Sequence, residues 1–198
     1  MGVENEFNFC LHDPRGRLEA RLQAMRGVRR IEIRQGYLSD DLRIRAMRDA
    51  ATGGVDYVMS FKRDVGGSVV EVETAMDETD FRRLWKTCGT TLRKTRYAFA
   101  EGEVHWDVDY LRTRKGETYF VKAEAEVAEH VADCPAACDA IAGHVIAVPG
   151  KRKGFSSRRL ADEGYAKALL KGLLERHARR VAKRARNDEP QAGFMMAA

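Results

Sequence analysis

Two runs constrain what this chain can fold into more than anything else in it. Val104–Leu111 (VHWDVDYL) and Tyr119–Val127 (YFVKAEAEV) both alternate strictly. Side chains on a strand point to opposite faces with a period of two. In the first run Val104, Trp106, Val108 and Tyr110 therefore share one face, and Asp107 and Asp109 the other. In the second, Val121, Ala123, Ala125 and Val127 oppose Lys122, Glu124 and Glu126. A half-buried strand ordinarily shows water a mixture of Thr, Ser, Lys and Glu, whereas these polar faces consist of formal charge alone. Carboxylates on neighbouring strands repel unless cations stand between them. The rest of the chain must supply those cations.

It does so in further alternating segments. Val3–Leu11 (VENEFNFCL) sets Glu4, Glu6 and Asn8 against Phe7, Phe9 and Leu11, and Arg30–Leu38 (RIEIRQGYL) sets Glu32 and Arg34 against Ile31 and Ile33. Arg43 and Arg45 oppose Leu42 and Ile44, Tyr57–Arg63 brings Lys62, and Glu71 and Glu73 oppose Val70 and Val72. Leu92–Phe99 (LRKTRYAF) bears Lys94 and Arg96. Gly53-Gly54 and Gly66-Gly67 mark turns. Helices are expected after Asp13-Pro14, with Leu18, Leu22 and Met25 inward, and over Asp77–Cys88, capped by Asp77, with Phe81, Leu84 and Trp85 inward. A short helix is also expected over Asp133–Ala142.

About eight strands joined by hairpin signals predict an α+β fold: a closed or nearly closed eight-stranded antiparallel β tunnel with helices packed outside. The helices near Leu18 and Phe81 would cover the apolar faces, leaving the charged faces to point into a polar lumen. Alternation alone fits equally a sheet whose charged side meets water through cross-strand salt bridges. A lumen of acids and bases is costly to leave empty. Its composition suits a polyanion held with divalent metals, carboxylates for Mg²⁺ or Mn²⁺ and Arg or Lys for phosphate. Trp106 and Tyr110 read as outer-face core, and His105 as a structural strand histidine.

The net charge of +5 is carried by the end of the chain, where eight bases from Lys167 to Arg186 face Glu175, Asp188 and Glu189. Leu169, Leu170, Leu173, Leu174 and Val181 give that stretch a helical stripe, which predicts a helix docked on the body. The expected division is residues 1–164 as the tunnel domain and 165–198 as a basic helix and disordered tail. No apolar run approaches the roughly 20 residues of a membrane span. Cys10, Cys88, Cys134 and Cys138 lack disulfide or zinc spacing, so reduced thiols and a cytoplasmic location are expected. No membrane partner is expected, nucleic acid only through the basic tail, and the assembly is expected to be a monomer or homodimer.

Arg34–Leu38 (RQGYL), Leu42–Arg45 (LRIR), Lys94–Tyr97 (KTRY), Trp106–Asp109 (WDVD) and Ala123–Glu126 (AEAE) occur in an order that resembles the CYTH family. Val148–Ala161 (VPGKRKGFSSRRLA) is similar to that family's closing segment. Members are triphosphate tunnel metalloenzymes: thiamine and inorganic triphosphatases and class IV adenylyl cyclases. Over residues 3–161 the resemblance implies an eight-stranded tunnel open to a polyphosphate chain. It implies that Arg43, Arg45, Lys62, Lys94 and Arg96 bind phosphate, with Lys151 or Arg152 joining them. It further implies that Glu4, Glu6, Asp107, Asp109, Glu124 and Glu126 hold Mg²⁺ or Mn²⁺. Glu71 and Glu73 match a supporting acidic pair, and Glu4, Glu6 and Lys94 would serve in catalysis.

The implied activity is metal-dependent hydrolysis of tripolyphosphate, thiamine triphosphate or ATP, with water attacking the terminal phosphorus in line. The family opens with Glu-x-Glu-x-Lys, whereas here Glu4-Asn5-Glu6-Phe7-Asn8 puts Asn8 at the lysine position. Asparagine keeps a donor but loses the charge and cannot act as a base. A class IV cyclase, or a nucleotide or polyphosphate binder without hydrolysis, are the alternatives. Walker glycine-rich, Gly-x-Ser-x-Gly and His-Glu-x-x-His motifs are absent from the sequence.

Overall fold

The alternating runs become strands that pair with their neighbours almost throughout. The computed structural model describes residues 2–66, 68–151 and 153–188, and the side chains of all of these but 2–4, 68, 153 and 188. The strands are β1 (Gly2–Glu4), β2 (Glu6–Leu11), β3 (Arg29–Tyr37), β4 (Leu42–Asp49) and β5 (Val55–Val65). They continue as β6 (Ser68–Ala75), β7 (Thr90–Glu101), β8 (Val104–Arg112), β9 (Thr118–Glu126) and β10 (Val145–Gly150). They form one antiparallel sheet in the order β1-β6-β5-β4-β3-β7-β8-β9-β2-β10.

The sheet bends round until its two ends belong to one stretch of chain. β1 pairs with β6 and β2 with β9, although only Asn5 separates β1 from β2. Counting that stretch once, the ring is the expected eight-stranded, nearly closed tunnel. β10, which the alternation does not announce, is added beside β2. Asn5 is buried and holds the crossover, its amide nitrogen donating to the carbonyls of Ala128 and Val131, both at 2.8 Å. Those bonds, with Pro135 and the burial of Cys138, Ala140 and Ile141, keep residues 128–141 irregular. The expected Asp133–Ala142 helix is therefore wrong; only a 3-10 turn forms, at Ala142–His144. Tertiary burial outweighs a weak local preference here.

Two helices cover the outer face. α1 (Arg17–Ala24) lays Leu18 and Leu22, both fully buried, on Phe9, Tyr97, Trp106 and Tyr110. The Asp13 carboxylate caps it, accepting from the Leu18 and Glu19 amides at 3.2 and 3.0 Å. α2 (Glu78–Trp85) has Asp77 as its cap, accepting from the Asp80 amide, and buries Phe81 against Ile44, Ala46 and Tyr57. Trp106 and Tyr110 are core, as their alternation predicts. Near the end of α2 the chain approaches β3 so closely that a Cβ on Gly36 would meet the Cys88 Sγ at 2.5 Å. Gly36→Ala is expected to lose about 1–3 kcal/mol by overpacking, read as a lower denaturant midpoint at unchanged slope.

α3 (Ser157–Leu160) and α4 (Glu163–Asp188) close the structure. Their residues Leu160, Ala166 and Leu173 form a third cluster with Phe155, Cys10, Leu92, Leu111 and Phe120. The last four come from the inward face of β2, β7, β8 and β9, so apolar side chains fill that end of the lumen. The Arg180 guanidinium ties α4 to the Ile146 carbonyl at 3.0 Å. All four cysteines are free thiols. Among the described residues no helix is long and apolar enough to cross a membrane.

Candidate functional site

Residues opposite one another in a ladder share a face, so the register decides what lines the lumen. Glu6 faces Glu126, and Asn8 faces Glu124, across β2–β9; Asp107 faces Glu124, and Asp109 faces Lys122, across β8–β9. Arg96 faces Asp109, Lys94 faces Leu111 and, on the other side, Ile33. Gln35 faces Arg45, Ser60 faces Arg43 and Glu73, and Lys62 faces Glu71. The acids and bases of seven strands thus fall on one face. Glu32 and Arg34 do not: β3 turns Ile33, Gln35 and Tyr37 inward and leaves that charged pair outside.

The lumen side chains form two ionic groups. In one, Arg43 binds Glu71 at 2.5 Å, Arg45 bonds to Glu73, and the fully buried Ser60 hydroxyl accepts from Arg45 at 3.0 Å and donates to Glu73 at 2.8 Å. Lys62 lies between Glu71, at 3.4 Å, and Glu6, at 3.5 Å, and so joins β5 and β6 to β2. In the other, Asp109 is completely buried and accepts from Lys94 at 2.6 Å and from Arg96 at 2.7 and 2.8 Å. Arg96 also binds Asp107, and Glu124 at 3.2 Å. Lys122, wholly buried, binds Glu124 at 2.5 Å and reaches the Phe155 carbonyl at 3.4 Å.

Burial raises the Glu6 carboxyl, and the nearby Glu124 charge raises it further. Burial would do the same to Asp109, but Arg96 and Lys94 outweigh it and hold that carboxyl well below its ordinary range. Burial, aided by Arg96, pushes the Lys94 ammonium down to about 8. Any phosphate bound here would favour the charged ammonium, so that its binding above that pH would take up a proton at Lys94. Tripolyphosphate affinity is therefore expected to be flat below about pH 8 and to fall by up to about tenfold per pH unit above it. Calorimetric titrations on both sides of that pH check this, and Lys94→Arg should remove the break.

Not every expected site residue joins these groups. Lys151 is exposed, its ammonium 5.0 Å from the ring centroid of Phe7, a residue of the outward apolar face. Arg152 and the Glu4 side chain lie outside the described residues. Glu126 is exposed, opposite Glu6 and His105. Asn8 donates one N–H of its amide to the Gly150 carbonyl at 3.1 Å, which ties the residue at the lysine position to β10. Ser60 carries weight that sequence reasoning did not give it, though it lies two residues from Lys62 and so on the same face. Lys122, expected on the charged face, acts there as the buried counter-charge of Glu124.

Glu6 and Glu126 face one another across β2–β9, with Glu124 diagonal to Glu6. Among the described residues no three acid, histidine or cysteine side chains already converge as a metal site. Arg96, Lys94 and Lys122 engage Asp107, Asp109 and Glu124 instead.

No protein-family model and no curated protein matches this chain. Among solved structures it is similar to the PH1012 protein of Pyrococcus horikoshii OT3, at 16% identity and a TM-score of 0.44, over 65% of this chain and 80% of that one. A conserved hypothetical protein of Pyrococcus furiosus gives 18% and 0.41, over 67% and 81%. A "putative adenylate cyclase" of Bacillus halodurans gives 14% and 0.40, over 63% and 80%. Overlaps this partial assign neither a family nor an activity, and the functional case stands on the side chains of the lumen.

Proposed function

We propose that the lumen binds the triphosphate group of a small molecule and hydrolyses it. The observation that carries this reading is the cationic set on its inward face. Arg43, Arg45, Lys62, Lys94 and Arg96 come from three strands, and the buried Arg43 Nε has no hydrogen-bond partner among the described residues. Buried donors without partners are costly, and a phosphate oxygen is their natural acceptor.

Arg43 and Arg45 would take phosphate oxygens in place of Glu71 and Glu73, which meanwhile hold both guanidinium groups in position. Lys62, released from Glu6, would neutralise a second phosphate, and Lys94 and Arg96 a third. Glu6, Glu124 and Glu126 would hold Mg²⁺ or Mn²⁺, which when bound adds positive charge against the phosphate oxygens. Glu126→Ala should then raise the Mg²⁺ concentration needed for half-maximal tripolyphosphate binding while leaving the fold intact, since its side chain is exposed; an unchanged requirement would remove Glu126 from the metal set.

A second reading has its own support. Asn8 supplies no charge and spends one of its two N–H donors on the Gly150 carbonyl, which favours a protein that holds the phosphate chain without cleaving it. Purified protein with tripolyphosphate, thiamine triphosphate or ATP, each with Mg²⁺ or Mn²⁺, separates the cases. Released orthophosphate supports hydrolysis, and tight binding without turnover supports the second reading. Cyclic AMP from ATP would make the protein a cyclase. Failure to bind any of the three would reject the site.

A further inference from the structure

The outer face of the sheet carries a second charged feature, built from none of the side chains given a role in the lumen. α1 and α2 cover two apolar patches, and the strip of β3, β7 and β8 between them is left open. There the ladder sets Arg34 opposite Arg93 and Arg93 opposite Arg112. Three guanidinium side chains stand in a row on adjacent strands, about 4.8 Å apart. Like charges directly opposite one another destabilise a sheet. Arg112 is compensated by Glu19 and Arg34 stacks 4.8 Å from the Trp85 centroid. Arg93 has no carboxylate partner among the described residues.

A groove of about 1100 Å³ surrounds this row. Arg48, Lys86, Arg114 and Lys115 stand round it, all exposed and, among the described residues, none in an ion pair. The acids in its lining are already used: Glu32 pairs with Arg30 at 2.9 Å and Glu78 with Arg82 at 2.6 Å. One wall is aromatic. Half-buried Tyr57 and Trp85 flank Phe81, with ring centroids 5.0 and 5.4 Å from it.

We propose that this groove binds single-stranded nucleic acid. A small anion would satisfy one or two of the cations, whereas a phosphate chain can meet the whole row. The aromatic wall decides between phosphate chains. Inorganic polyphosphate has nothing to place on Trp85 and Tyr57, while unpaired bases stack on such rings in sequence-tolerant fashion, a base on Trp85 taking the place of the Arg34 guanidinium that covers it. Binding through a cationic row also weakens steeply as salt rises.

The probe is a fluorescein-labelled oligouridine, followed by anisotropy at low and moderate salt. The chain has two tryptophans, and Trp106 is only 1% exposed, so quenching of tryptophan emission reports Trp85. The expected result is salt-sensitive binding, quenching on binding, and at least about tenfold weaker affinity in the Arg34→Glu/Arg93→Glu double variant. Both substitutions are on exposed positions of the outer face, so lumen binding of tripolyphosphate should be unchanged. Excess tripolyphosphate should leave the oligonucleotide in place. Absence of binding at low salt, or affinity indifferent to the double variant, would overturn the proposal. So would binding without quenching, because charge alone would then account for it.

Discussion

Asp109→Ala is expected to destabilise the fold by about 3–5 kcal/mol, the usual consequence of stranding buried charge by removing its partner. Asp109 is wholly buried, Lys94 nearly so, and Arg96 donates to it twice. Without that carboxylate the buried Lys94 loses its hydrogen-bonded acid, and Arg96 keeps only Asp107 and Glu124. For a chain of this size the melting temperature should fall by roughly 10 °C or more. Adding Lys94→Met should recover part of the loss, because one stranded charge goes with it. A shift of only a degree or two in the single variant would mean that water reaches the site. Acid should act in the same direction. The Asp109 carboxyl is held below its unfolded value, so its contribution is complete above the ordinary aspartate range and is lost as pH falls below it.

The second large effect is on binding. Arg45 is 8% exposed, fixed by Ser60 and Glu73, and aligned with Arg43 on β4. Arg45→Ala should weaken tripolyphosphate by about 2–4 kcal/mol, a loss of roughly 30- to 900-fold. Arg45→Lys should restore part of it, since a lysine supplies charge without the planar fork. Isothermal titration of the three proteins measures this directly. Equal affinity across them would place the phosphates elsewhere in the molecule and reject the lumen as their site.

Asp109 and Arg45 also differ in how much their roles depend on being neighbours of the right groups. Both were legible as strand residues on a charged face. Neither could be assigned a partner from sequence, because ladder register is a property of two segments and alternation is a property of one. The same limit explains β3. Its run has charge on one side and Ile31 and Ile33 on the other, a pattern that reads alike whichever side is inward. Pairing with Lys94 on β7 and Arg45 on β4 turned Ile33, Gln35 and Tyr37 to the lumen, and Glu32 and Arg34 became the floor of the outer groove.

Local chemistry was enough to determine the strands, the faces of Asp107–Asp109 and Glu124–Glu126, and the two helices over the apolar patches. Each follows from spacing along a few residues: a period of two, or a cap followed by apolar residues at helical intervals. Tertiary structure alone decided that β1 and β2 join opposite ends of the ladder at Asn5, and that residues 128–141 stay irregular. It also decided that Phe155 and Leu160 fill one end of the lumen, and that Lys122 is buried there as a counter-charge. These depend on contacts between segments more than a hundred residues apart for Asn5, where the burial gained by distant partners outweighs what any short stretch prefers by itself.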